Sequence, residues 1–274
     1  MNHYLLKISY KGSRFYGWQK QPNVRTIQGE LERVLKKLTK SDHVFTMGSG
    51  RTDAGVHAQA QMVKVSLDKE LPLQGLIHGV NSLIDSDIRV LDSKNVEESF
   101  HPVRDAIEKE YHYIIAKSRP SVFTQDFVSY FHPEIDFEKL SIFAKVFEGE
   151  YDFCNYMCQG TDVSTTVRTI FSSKVEIVKN IYPWLDEDEF YVYKVVGNGF
   201  LKQMVRNLVG SLVDIAKSGS KMPPIKSLLL AKDRRQAGIC APASGLSLVR
   251  VVYGEPIRLD ELILRANSGF SFEL

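Results

Sequence analysis

The chain has 274 residues, 43% hydrophobic and 11% aromatic, with a formal net charge of +2, a balance that fits a folded globular protein and excludes wholesale disorder. No apolar run approaches the roughly 18 residues that span a bilayer, and the amino terminus, MNHYLLKISYKG, alternates like a strand and lacks the apolar core of a signal peptide; a cytoplasmic protein is expected. Cys154, Cys158 and Cys240 are too few for a disulfide framework, and no second Cys or His pair stands at zinc spacing from Cys154 and Cys158, so no metal is expected.

In chain order, a first strand near His3 to Tyr10 leads into GSRFYGWQKQPNVRT, a loop of bases, aromatics and glycines. Ile27, Leu31, Val34, Leu35 and Leu38 then recur at helical spacing, with Thr26 as cap and Lys36, Lys37 and Lys40 where cations favour the dipole. Gln61 to Leu67 alternates as a strand, Leu71 to Ile84 reads as helix, and Asp87 to Asp92 as strand. Tyr111, Tyr113 and Ile115 alternate with His112, Ile114 and Ala116, which predicts a strand with one aromatic face. Phe137 to Phe147 reads as helix. Thr166 to Val178 and Phe190 to Val196 read as strands of a hairpin joined by the acidic stretch around Asp186 to Glu189.

From Leu201 onward Met204, Val205, Leu208, Val209, Leu212 and Val213 share one helical stripe. Ser218-Gly219-Ser220 and Pro223-Pro224 supply its stop. Leu246 to Tyr253 is a late strand, followed by a tail, NSGFSFEL. Strands and helices interleave without a strict βαβ beat, so the expected class is α+β with a largely antiparallel sheet. Residues 1 to 60 hold ten Lys and Arg against four Asp and Glu, an excess of six that leaves −4 for the remainder. Such a basic quarter suits a phosphate-facing surface, and equally a solvated face.

The stretch GSGRTDAGVHAQA, residues 48 to 60, sets three glycines around Arg51-Thr52-Asp53. It is not a nucleotide loop, because no Lys-Ser/Thr follows the glycines. A lone Asp does not suit ordinary glycoside hydrolysis, which uses two carboxylates, and no neighbouring Ser-His pair offers a triad. An Arg two positions before an Asp can hold the carboxylate ionised and in place. One ionised carboxylate suffices if the leaving group departs without a separate acid. Uracil is such a group, its anion delocalised over two carbonyls. Residue types alone leave this open beside a plain turn with a surface ion pair.

GRTDAGVHA (50 to 58) resembles the signature of TruA-type tRNA pseudouridine synthases, and four further segments match that family in order. They are YKGSRFYGWQKQPNVRTIQGELE (10 to 32), KEYHYII (109 to 115), GFLKQMVRNLVGSL (199 to 212) and APASGLSLVRV (241 to 251). The resemblance implies two α/β halves, 1–104 and 105–274, sharing a continuous, mostly antiparallel sheet with helices packed on one side and a central basic cleft. It implies isomerisation of uridine to pseudouridine at positions 38, 39 and 40 of the tRNA anticodon stem-loop, with no cofactor, by a homodimer in which one tRNA contacts both subunits. Asp53 would be the catalytic nucleophile or base at the ribose, and Arg206 its partner. Arg51 would take the flipped nucleotide's place in the stack or contact its phosphate. Tyr111 would stack on the target uracil and assist proton removal from C5. Arg14, Trp18, Lys20 and Arg25 would dock RNA by backbone contact and stacking, while His57 fits a packing or loop hydrogen-bond role as well as a catalytic one. Two alternatives stand beside this reading: the same chemistry on another RNA site, and a non-catalytic RNA-binding protein, which the presence of Asp53 disfavours.

Overall fold

The computed structural model describes residues 1–132, 135–161, 163–179, 189–217, 220, 224–231 and 237–254. Asp186–Asp188 of the acidic stretch, Ser218, Gly219 and Pro223 of the helix stop, and the tail lie outside them.

The amino-terminal strand β1 (Asn2–Tyr10) pairs antiparallel with two others, β3 (His57–Leu67) and β4 (Ile88–Asn95). The helix α1 (Ile27–Thr39) starts where its cap predicts: the Thr26 hydroxyl accepts the Gly29 N–H, and Ile27, Leu31, Val34 and Leu35 are buried. It ends at Lys40, which adopts the left-handed conformation. The strand β2 (Val44–Gly48), not anticipated, follows; it pairs with the far half of β3, from Val44↔Leu67 to Gly48↔Val63. The helix α2 (Leu73–Asn81) starts later than expected because Pro72, at its cap position, disfavours a helical Leu71, and it ends three residues before Ile84.

In the carboxy-terminal part, β5 (Ala106–Ala116) lies between β9 (Glu189–Gly197) and β10 (Leu246–Tyr253). The short β6 (Ser129–Tyr130) runs parallel to its end, while β7 (Gly149–Asp152) and β8 (Val167–Lys179) complete the sheet beyond β9. The order is β4-β1-β3-β10-β5-β9-β8-β7, ten strands with β2 and β6 off this path. The architecture is α+β with a mostly antiparallel sheet. Two described pairings are parallel, β6 on β5 and β10 on β3. Lys179 pairs with Glu189, so the ends of β8 and β9 meet as a hairpin requires.

The two faces of the central strands differ as the alternation predicts. Tyr111, Tyr113, Tyr193 and Val195 are buried on one face. The other carries Glu108, Glu110, His112, Glu176, Lys174, Lys194 and Arg250, which pair with one another. The helix α3 (Phe137–Ala144) packs against β8 and α4 (Met204–Ala216). The start of α4 falls three residues after Leu201 because Gln203 is left-handed, φ 62°. Its apolar stripe is buried as expected, but so are Asn207 and Ser211 on the remaining surface. The Asn207 amide donates to the Tyr156 carbonyl at 2.7 Å, and the Ser211 hydroxyl accepts from the Gly238 N–H at 3.0 Å. The helix is therefore enclosed, and its polar residues bind backbone rather than water.

Candidate active site

Residues 49–56 connect β2 to β3 and carry Asp53. Hydrogen bonds from several directions fix this loop. The Gln61 amide donates to the Gly50 carbonyl at 2.7 Å and accepts from the Ser49 hydroxyl at 2.7 Å. The Trp18 N–H donates to the Thr52 carbonyl at 3.0 Å, and the Tyr10 and Thr52 hydroxyls are 2.8 Å apart. Two of the three glycines do the shaping expected of them, while Gly50 has room for a Cβ. Gly55 has φ +80°, a conformation that disfavours side chains, and a Cβ on Gly48 would lie 2.7 Å from the Trp18 indole.

Asp53 meets Arg206 of α4. The Arg206 Nη1 donates to Asp53 Oδ2 at 3.1 Å, with side-chain exposures of 15% and 20%. The guanidinium is itself aimed, because its Nε donates to the Ala241 carbonyl at 2.7 Å while the Ala241 N–H returns to the Arg206 carbonyl. A partly desolvated, charge-assisted pair of this kind is worth roughly 1.5–3 kcal/mol. Arg51, on the same loop, is exposed.

Tyr111 is 7% exposed, its ring edge-on to Phe200 with centroids 5.2 Å apart. Its hydroxyl lies 3.7 Å from where a Gly50 Cβ would stand, so it faces the Asp53 loop. Burial, then the nearby Tyr10 and Asp53, push the phenol well above the ordinary tyrosine range. His57 sits below the loop: its Nδ1 accepts the Gly12 N–H at 3.1 Å and its ring packs on Phe127 at 5.0 Å. Burial lowers its pKa, which keeps it neutral in that packing position.

The loop before α1 is arranged differently from its expected docking role. Trp18 is 3% exposed and packed over Gly48, so it does not face solvent; Tyr16, 61% exposed, is the ring the loop presents. Arg14 pairs with Asp85 and Asp87, Arg25 with Asp85, and Lys20 with Glu32. Arg25 also lies 4.6 Å above the Phe15 ring. These cations are exposed but already matched by carboxylates. None of the three cysteines forms a disulfide, and no group of three or more His, Cys, Asp or Glu suited to a metal occurs among the described residues.

A family model described as tRNA pseudouridine synthase matches residues 143–254. The tRNA pseudouridine synthase A of Thermosipho melanesiensis is 36% identical over 255 residues, covering 92% of this chain and all of the relative. That of Maridesulfovibrio salexigens is 39% identical over 257 residues, 93% of this chain and 92% of the relative, and that of Bacillus pumilus 35% over 248 residues, 90% and 97%. The chain belongs to the tRNA pseudouridine synthase family.

In this member of the pseudouridine synthase family, the residues that support the Asp53 loop carry little signal in the sequence. Ser49 and Gln61 look like ordinary polar residues, and their contact depends on the β2–β3 pairing. Lys109 was legible in part: two residues before Tyr111 on a strand, it must share the tyrosine's face. Its ammonium donates to the Ser49 carbonyl at 2.6 Å. No helix among the described residues is long and apolar enough to cross a membrane.

Proposed function

We propose that the protein isomerises uridine to pseudouridine in the anticodon stem-loop of tRNA, at positions 38, 39 and 40, with Asp53 as the nucleophile at the ribose. The observation that carries this reading is the Asp53–Arg206 pair, a single carboxylate held at 3.1 Å by an aimed guanidinium on a braced loop that faces Tyr111.

The chemistry matches those parts. An Asp53 carboxylate oxygen bonds to C1′ as the N1–C1′ bond breaks, and uracil leaves as an anion stabilised by its two carbonyls. It turns, C5 bonds to C1′ as the bond to Asp53 breaks and frees the carboxylate, the C5 proton is lost and N1 gains one. No atom is added or removed, so neither a redox carrier nor a Lewis acid is called for. The carboxylate supplies the negative group at the sugar and Arg206 positions it. Tyr111 provides a surface for the extruded base, and its hydroxyl takes part in C5 proton removal, a role supported by its facing the loop. Arg51, exposed beside Asp53, fills the space the nucleotide leaves or meets its phosphate. The two halves, 1–104 and 105–274, hold the RNA between them, and family membership supports a homodimer in which one tRNA touches both subunits.

Asp53→Asn tests the assignment because it preserves size and removes charge. The purified variant is expected to bind tRNA and form no pseudouridine. Turnover within about tenfold of wild type, a loss of only ~1.4 kcal/mol, would overturn the catalytic role. Mapping pseudouridine in tRNA from cells with and without the protein tests the positions.

A further inference from the structure

Buried cations normally face a carboxylate, since an unmatched buried charge is costly. Arg206 has Asp53, and Arg250 has Glu108 and Glu110. Lys109 and Arg168 do not follow this rule: neither has a carboxylate partner among the described residues. The Lys109 ammonium, on a residue 7% exposed, donates to one carbonyl, that of Ser49. The Arg168 Nη1 donates to the carbonyls of Thr165 and Val167, at 2.9 and 2.6 Å. A lysine has three donors and an arginine five, so each retains donors beyond those carbonyls.

The sheet brings the two cations together. Lys109 pairs with Gly197, which in turn pairs with Ile170, two residues from Arg168. Arg168 then lies over Gly199, its Nε 3.8 Å from where a Cβ would stand, next to the Phe200 that packs on Tyr111. Burial pulls the Lys109 ammonium down to about 8, with the charge of Arg168 adding to the effect. Burial also lowers Arg168. Lys109 thus touches the Asp53 loop at Ser49, and Arg168 sets a second positive charge near it.

We propose that Lys109 and Arg168 form a subsite for one phosphodiester group of the RNA strand that carries the target uridine. This rests on the reading that the site acts on RNA. Half-buried Arg168 supplies the open edge, where a planar fork of donors suits a phosphate. Lys109 then ties that phosphate to the Ser49 carbonyl, so that docking the strand and setting the Asp53 loop become one event.

The test is binding to a tRNA that the wild-type protein converts, measured from 50 to 200 mM salt for wild type, Lys109→Gln, Arg168→Gln and the charge-retaining Arg168→Lys. Each Gln variant is expected to bind about tenfold more weakly and to lose about one from the log–log salt slope, whereas Arg168→Lys recovers most of the slope. In a ligated tRNA with one neutral methylphosphonate linkage 5′ or 3′ of the converted uridine, wild type should lose affinity by a similar factor. Arg168→Gln should lose little more. Unchanged slopes in both Gln variants, or full additivity with both neutral linkages, would overturn the subsite. If Lys109→Gln does not fold, the less buried Arg168→Gln still decides. A wild-type protein that forms no pseudouridine in any tRNA would instead defeat the functional reading.

Discussion

Tyr111→Phe removes one hydroxyl that has no hydrogen-bond partner among the described residues and that faces Gly50 of the Asp53 loop. No hydrogen bond within the protein is lost with it, so the melting temperature should stay close to that of wild type. If that hydroxyl takes part in removing the C5 proton, the same change lowers the chemical rate by about 10²–10⁴, or roughly 2.7–5.4 kcal/mol of barrier. Stability and rate then move independently, which makes Phe more informative than Ala. Tyr111→Ala also deletes a buried ring, at about 3–5 kcal/mol, and the edge-on contact with Phe200, about 0.5–1.5 kcal/mol. The assay is a single turnover at saturating enzyme with tRNA tritiated at uridine C5, because each isomerisation releases that hydrogen to water. A Phe variant with an unchanged melting temperature and a rate within about threefold of wild type would refute a chemical role for the hydroxyl and leave the ring as the contribution.

Gly48→Ala places a methyl 2.7 Å from the Trp18 indole, which is buried and cannot swing into solvent. We expect a loss of about 1–3 kcal/mol in denaturant unfolding, with a slower chemical step as the Trp18–Thr52 bond shifts. Glu110 is held at about 2, against 4.5 for a free side chain, by the His112 hydrogen bond and then by Arg250. A depressed carboxyl contributes stability that is present above 4.5 and lost as pH falls toward 2. Acid unfolding followed by circular dichroism should show that loss, and it should be shallower in Glu110→Gln; Glu176, also near 2 through Lys174 and Lys194, adds to the same window. Replacing Arg14 and Lys20 together by Ala should weaken tRNA binding but flatten the salt slope by less than one per residue. Each already has a carboxylate and would exchange it for a phosphate. A drop of two or more in filter binding would show that those ion pairs open in the complex, and a collapsed single-turnover rate would place the loop in the chemistry.

What could be read from the sequence was set by how local its cause is. Thr26 caps α1 through a bond three residues away, and the tyrosine alternation of β5 needs only a two-residue period, so both were legible. The strand β2 was not: it has five residues, with Phe45 and Met47 turned outward, so its pattern resembles a loop with stray apolar residues. The start of β3 was missed because His57 to Ala60 lies inside the motif and gives no apolar alternation. Asp53 and Arg206 could be named from motif and resemblance, and Arg206 could be placed at the rim of a helical stripe. The Ala241 carbonyl that aims it is visible only in three dimensions. Trp18 misled for a simple reason. A tryptophan among bases and glycines looks like a stacking residue, whereas the absent Gly48 side chain leaves a slot that its indole fills. Lys109 was passed over because its environment arises from Ser49 on one side and Arg168 on another, neither close to it in sequence.

The central place of β10 has a consequence for when the site can exist. Ser247 pairs with His57 at the end of the Asp53 loop, and the next residue, Leu248, pairs with Tyr111. Until that segment leaves the ribosome, the strand that follows the Asp53 loop and the strand bearing Tyr111 have no backbone ladder between them. Ala241, which aims Arg206, arrives only just before it. On the proposed assignment, a chain cut short upstream of Leu246 lacks the ladder that joins the Asp53 loop to Tyr111, and it is expected to form no pseudouridine.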